Sequence, residues 1–363
     1  MTATDATLKI LDLARWAPSG DNTQPWRFQV LAPDHVVVYG FDTRDHCLYD
    51  LDGQASQVSL GALLETMRIA GTTVGYRVSA QRRLDSPDTR PVFDVALSAD
   101  PAVAPDPLGG VIERRSVQRR PLSTRALRAE EKQALEASVS AANRVLWFDG
   151  FQARLRVARL LFANAKLRLT LRETFEIHRS VIQWGARFST DRIPDEAVGL
   201  DPVATRLMRW AMVDWRRVAF LNRYLGGTIL PRVQLDLMPA LACAAHAVVI
   251  APATPRSIDD FVAAGRAIQR FWLTATKLGL QHQPSYTPLV FAAYARQGRR
   301  FSAETRAPEA AKWIKSALDT LVGDPVAAER VIWMGRLGAG RPAKARSLRL
   351  SLQTLLQPPS NRA

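Results

Sequence analysis

The chain has 363 residues, 47% hydrophobic and 23% charged, a globular balance that excludes a disordered tail and leaves enough material for one large or two modest cores. A formal charge of +15 suits a phosphate-bearing ligand. No helix-turn-helix, zinc finger or aromatic RNA-binding signature accompanies it, however, so nucleic acid is not expected as the main partner, and Cys47 and Cys243 are too few and too isolated for a disulfide framework or a zinc site.

The amino terminus, MTATDATLKI, has no basic flank leading into an apolar region, and Met238 to Ala253 falls short of a membrane span, so a soluble cytoplasmic protein is expected. Thr7 to Trp16 carries Leu8, Leu11 and Trp16 at helical spacing. The loop Pro18-Ser19-Gly20-Asp21-Asn22 follows. Its glycine and small polar residues leave backbone amides free to approach a flat polar ligand, and Pro25-Trp26 stiffens the chain that holds them. Trp26 to Leu31 and His35 to Phe41 predict a hairpin, Gln54 to Ala70 a helix, and Tyr76 to Ala80 and Pro91 to Leu97 two more strands. Ala99 to Gly110, rich in proline and glycine, reads as a linker.

A similar pattern then starts again. Arg128 to Ala142 predicts a helix, and the segment in which it ends, Ala137 to Phe148, aligns without a gap on the first loop: Ser140 on Ser19, Asn143 on Asn22, Trp147 on Trp26. Val139, Ala141, Val145 and Leu146 replace Pro18, Gly20, Gln24 and Pro25, so an internal duplication with one decayed copy is expected, although a match this short also arises by chance. Before this second helix, IERRSVQRRPLS sets Arg114, Arg115, Arg119 and Arg120 around Ser116, the chemistry of a phosphate clamp or of a solvated basic turn. Asp201 to Trp215 reads as one aromatic-rich amphipathic helix. Ser257, with Asp259 and Asp260 behind it, caps a long helix that stops at Gly279. His282 falls in the next loop, Gln281 to Tyr286, and reads as a polar loop residue. The strand-like Arg330 to Trp333 leads into a closing basic run with Lys344, Arg346 and Arg349. No G-x-S-x-G elbow or H-E-x-x-H helix is present, and GRLGAG lacks the β-α-β surroundings of a dinucleotide fingerprint.

The A-P-S-x-x-N-x-Q-P-W-x-F motif, the R-R-S segment and the C-terminal basic run together resemble the flavin-dependent nitroreductase superfamily, in the fused-duplicate branch known from mycobacterial dormancy responses and from molybdopterin-biosynthesis-like proteins. The resemblance implies an α+β fold, an antiparallel-sheet core flanked by helices and duplicated into a pseudo-dimer. The first repeat, 1–105, would supply the Pro-Ser-x-x-Asn loop. The second, 110–352, would supply the clamp, with 353–363 a flexible tail. It implies FMN as cofactor, held by Pro18, Ser19, Gly20, Asn22, Arg114, Arg115, Ser116, Gln118, Arg119, Gln283 and Arg346. The family's Arg-x-Ser-x-Lys/Arg spacing places Gln118 where a basic residue is usual and Arg119 one further on. No catalytic residue and no metal are assigned. The implied activity is FMN-dependent oxidation and reduction with a small electron donor or acceptor such as NAD(P)H. The alternative is a flavin-sequestering protein with a lid near 187–215, whose aromatic stripe also fits plain core; a basic module without flavin is the third reading.

Overall fold

The computed structural model describes residues 2–356. In the first half, α1 (Ala3–Ala14) opens on a capping box in which Thr2 and Asp5 each accept the other's backbone amide, satisfying two donors that a helix start leaves unpaired. The expected hairpin is β1 (Trp26–Ala32) and β2 (His35–Gly40). After it come α2 (Gln54–Thr72), β3 (Tyr76–Arg82) and β4 (Val92–Ala99), and the antiparallel sheet runs in the order β1-β2-β4-β3. Its inward side chains, Trp26, Phe28, Val38 and Val95 among them, pack with Ile10, Leu11, Leu63 and Met67 of the two helices into one core.

The second half begins with α3 (Ala129–Ser138) and β5 (Arg144–Asp149). The chain then makes a long excursion through α4 (Gly150–Thr170) and α5 (Arg172–Val181). Three two-residue strands follow, β6 (Ile182–Gln183), β7 (Phe188–Ser189) and β8 (Ile193–Pro194). Next come α6 (Pro202–Ala211), α7 (Trp215–Tyr224), α8 (Ile229–Arg232) and, after a π-helical turn, α9 (Met238–Leu241). The sheet resumes with β9 (Ala245–Ile250), followed by α10 (Ile258–Lys277) and β10 (Leu280–Pro284). The chain continues through α11 (Thr287–Gln297), α12 (Ala307–Val322), α13 (Pro325–Glu329) and β11 (Val331–Ala339). It closes with β12 (Arg346–Ser347) and α14 (Leu352–Leu355). The second sheet, also antiparallel, is ordered β5-β9-β11-β10. Set in chain order against β1, β2, β3 and β4, the strands β5, β9, β10 and β11 take the same places, and α10 leaves β9 as α2 leaves β2.

The two halves meet where α2 crosses α10, and there the backbones touch. A Cβ on Gly61 would stand 2.0 Å from the carbonyl oxygen of Val262, and one on Gly265 2.0 Å from that of Val58. Beside this crossing, Gln269 Nε2 donates to Thr66 Oγ1 at 2.9 Å, so a buried polar group is satisfied across the seam.

Three expectations change. The single helix read over Asp201 to Trp215 is two, because Asp214 turns the chain and accepts the Arg216 amide as the cap of α7. The segment after Gly279 is strand, not loop: Leu280 and His282 alternate inward against β11, and His282 is 1% exposed. The tail expected over 353–363 begins in α14, which buries Leu355 in the first core, and 357–363 lie outside the described residues.

Candidate functional site

Between the halves lies a cavity of about 410 Å³. One wall is the loop Pro18 to Asn22 with the outer face of α2, and the facing wall comes from Arg115 to Arg119, β10 and the closing run around Arg346.

The loop is held in an unusual backbone state. Asp21, Asn22 and Gln24 have φ of 48°, 64° and 48°, a left-handed region that side chains other than glycine's rarely enter and that persists only where surrounding bonds fix it. Those bonds are present. Ser19 Oγ accepts the Gln24 amide at 3.0 Å, and Asn22 Nδ2 donates to the carbonyls of Thr190 (3.1 Å) and Leu348 (3.3 Å). Gln24 Nε2 donates to Thr190 O at 2.8 Å, while its Oε1 accepts the Leu350 amide at 2.9 Å.

Three guanidinium groups gather beside this loop. Arg115, 5% exposed, lies over the Trp272 ring at 4.5 Å and donates Nη2 to Trp16 O, and its Nε has no partner. Arg349 donates Nε to Ala17 O and Nη1 to Asn22 Oδ1, both at 2.9 Å. Arg346 donates to Glu113 O and sits over the Trp16 ring. No carboxylate pairs with any of the three among the described residues. Burial, reinforced by Arg349 and Arg346, therefore holds the Arg115 guanidinium well below its ordinary range, and burial with Arg346 and Arg15 brings Arg349 down to about 9. Such crowding of buried positive charge is relieved by an anion.

The expected site residues divide. Pro18, Ser19, Gly20, Asn22, Arg115, Ser116, Arg119, Gln283 and Arg346 all line the cavity. Arg114 is exposed and off the wall. Gln118 is buried but turned away, its Nε2 donating to Arg341 O at 2.9 Å. Of the two candidates for the family's basic position, Arg119 therefore faces the cavity. It donates to Ala197 O, and burial pushes it to about 10. His282 is structural. Trp333 Nε1 can only donate, so His282 Nε2 accepts from it at 3.2 Å and Nδ1 carries the proton toward Arg336 O; burial keeps the ring neutral, pushed to about 3.

The far end of the cavity was not legible in the sequence. Tyr49, Asn164, Arg168, His178 and Asp236 meet there from the first half and from the excursion, with no local spacing to announce them. Tyr49 Oη lies 3.2 Å from His178 Nε2, and burial pushes Asp236 up to about 6 against the pull of Arg168, 3.4 Å away. A roof crosses above. The amides of Arg346 and Leu348 donate to Arg187 O and Ser189 O, Ser347 Oγ donates to Arg192 O, and Ile182, Ile193 and Val198 face inward. The covering segment is thus about 182–198. Trp210, expected in the lid, is 48% exposed and off the cavity, and Trp215 packs on Phe175 with ring centres 5.5 Å apart.

No family model matches this chain. Two strains of Mycobacterium tuberculosis carry relatives named "Putative NAD(P)H nitroreductase acg", each 36% identical over 84 residues, which is 23% of this chain. The match spans only 24% of those relatives' length. Among solved structures, a nitroreductase-like family protein from Bacillus cereus is similar at 11% identity over 70% of this chain and 97% of its own, with a TM-score of 0.34.

Proposed function

We propose that this chain, a member of the nitroreductase superfamily, holds FMN in the cavity between its halves and works as an oxidoreductase. The observation that carries the reading is the cluster of Arg115, Arg346 and Arg349, three guanidinium groups with no carboxylate paired to them among the described residues, gathered beside a loop of small polar residues at one cavity. The residues fit the group. A phosphate with Ser116 beside it meets the donors left over, including Arg115 Nε, a buried N–H that otherwise costs about 1–3 kcal/mol. Pro18 to Asn22 and Gln283 would then border the ring and its chain, and Arg119 would set positive charge near it. When bound, the flavin supplies hydride and electron transfer; the protein binds it, orients it and limits access.

We read the chain as an internal duplication. The equal strand orders and the α2–α10 pair support that reading, as does the division of labour, the loop coming from the first half and the clamp from the second. NAD(P)H is the proposed electron donor, in keeping with the relatives' name. One observation favours a second reading, in which flavin is stored with little turnover: the roof over 182–198 is held by side-chain amides of Asn22 and Gln24 on one side and by main-chain amides of the closing run on the other.

The absorbance spectrum of the purified protein is the test. Yellow protein that releases FMN on denaturation supports both readings, and colourless protein that takes up no added FMN overturns both. Anaerobic NADPH then separates them, since prompt bleaching supports turnover and persistent colour supports storage.

A further inference from the structure

Among the described residues, seventeen large apolar side chains are exposed, and ten of them fall between Val203 and Met238. On α6, Val203, Leu207 and Trp210 recur at helical spacing and are 71%, 46% and 48% exposed; on α7, Phe220 and Tyr224 follow at 52% and 63%. An apolar strip of this extent on a folded surface marks a place that something covers.

The charge of the strip says what. Residues 202–232 contain six arginines and a single acid, Asp214, whose carboxylate is occupied in capping α7. The guanidinium groups flank the aromatic rings, Arg217 lying 4.9 Å from the centre of Trp210 and Arg223 5.4 Å from that of Tyr224. A second copy of the chain presenting this face would bring arginines against arginines. A protein anchor needs its apolar groups gathered in one desolvated pocket, whereas these are spread along two helices and the turn after them. Each of these helices has ten residues, about 15 Å of helix and too short to span a bilayer, and no helix among the described residues is long and apolar enough to cross a membrane. Short helices with aromatic and leucine side chains on one face and arginines at its edge match the chemistry of a segment lying in the headgroup region of an anionic membrane.

We propose that α6 and α7 form a peripheral docking surface for anionic lipid. Lipid phosphates meet the arginines while Trp210, Phe220 and Tyr224 enter the headgroup layer. The surface lies outside the cavity, so its test is independent of flavin.

The full chain is floated with vesicles of phosphatidylcholine alone and of phosphatidylcholine with one third phosphatidylglycerol. Binding to the second and not the first is expected, and it should fade at about 0.5 M salt, where the screening length falls to roughly 4 Å. Arg217→Gln with Arg223→Gln should weaken binding about 25-fold, roughly fivefold for each cation removed near an anionic surface. Trp210→Ser with Phe220→Ser should release the protein while its circular dichroism stays unchanged, since both side chains are already half exposed. Absence of binding to the anionic vesicles at low salt overturns the proposal, as does equal binding to neutral vesicles or indifference to both variant pairs. Retention on polyglutamate without vesicle binding would assign the face to an acidic protein. A dimer in sedimentation that Trp210→Ser dissolves, again without vesicle binding, would assign it to a second copy. Either result overturns the lipid assignment.

Discussion

At the scale of single residues, the arginine cluster gives the most direct prediction. Arg115→Ala or Arg349→Ala removes a charge-assisted donor from the proposed phosphate end and should cost about 1.5–3 kcal/mol of FMN affinity, roughly 10- to 150-fold in dissociation constant measured by fluorescence. Arg114→Ala, at the sequence neighbour of Arg115, should leave affinity unchanged because the Arg114 side chain is exposed and off the cavity. Loss with Arg114→Ala and none with the other two would place the anion elsewhere. The buried histidines give a second prediction. Burial lowers His178 and His282 to about 3 and His246 to about 4, from an ordinary 6.5. A depressed histidine stabilises the fold above its unfolded value, and that contribution drains away as pH falls from about 6.5 toward 3, each ring contributing up to about 1.4 kcal/mol per pH unit. Asp236, raised to about 6, acts the other way: its contribution is present at low pH and is lost as pH rises from about 4 to 6. Asp21, raised by its burial, acts in the same sense as Asp236, so three protons against two decide the sign, and the urea midpoint should fall from pH 7 to pH 4.5. A midpoint that holds or rises over that range would contradict the burial of these rings.

At the scale of elements, the crossing of α2 and α10 is set by two glycines. Alanine favours a helix interior over glycine by about 1 kcal/mol, yet at Gly61 or Gly265 its Cβ would stand 2.0 Å from a backbone oxygen that cannot swing aside. The clash wins, and Gly61→Ala or Gly265→Ala should destabilise by about 3 kcal/mol or more in denaturant unfolding, while Gly20→Ala, with open space around it, should be near neutral. A stable Gly265→Ala variant would mean that the helices sit farther apart than described. The roof makes another element-scale prediction. Gln24 holds Thr190 on one side and Leu350 on the other, so Gln24→Ala frees the 182–198 segment from the loop and should speed both FMN release and reduction by NADPH. Unchanged rates would remove the segment from any gating role. The sequence made the hairpin and α2 legible because Trp26, Phe28, Val36 and Val38 alternate or run apolar in short stretches between clear turn residues. It hid the two-helix break at Asp214, since an N-cap aspartate inside an amphipathic run looks like one more polar position.

At the scale of the whole molecule, the loop and Arg115 were legible and the far end of the cavity was not, for one physical reason. Pro18 to Asn22 and Arg114 to Arg119 are continuous segments whose chemistry is visible in a dozen residues, whereas Tyr49, Arg168, His178 and Asp236 become neighbours only when the excursion between β5 and β9 folds back over the first half. The same topology sets the stoichiometry. The two sheets repeat one order, so a symmetric pair of sites would be available in principle, but the parts are not repeated with them. Ser140 to Asn143, which align in sequence with Ser19 to Asn22, are built differently: Ser140 has a φ of 76° where Ser19 has −144°, and Asn143 donates to the nearby Val139 carbonyl instead of to a roof. Among the described residues, the Arg115 and Ser116 segment lines the cavity with Pro18 to Asn22, and Ser140 to Asn143 do not border it. On the proposed reading, one loop and one clamp make one complete site. Flavin measured by extinction after denaturation should therefore saturate at one FMN per chain, and Arg115→Ala should lower occupancy without exposing a second class of site. A ratio near two would show that Ser140 to Asn143 still binds, and with it that the two halves are functionally equivalent despite their divergent loops.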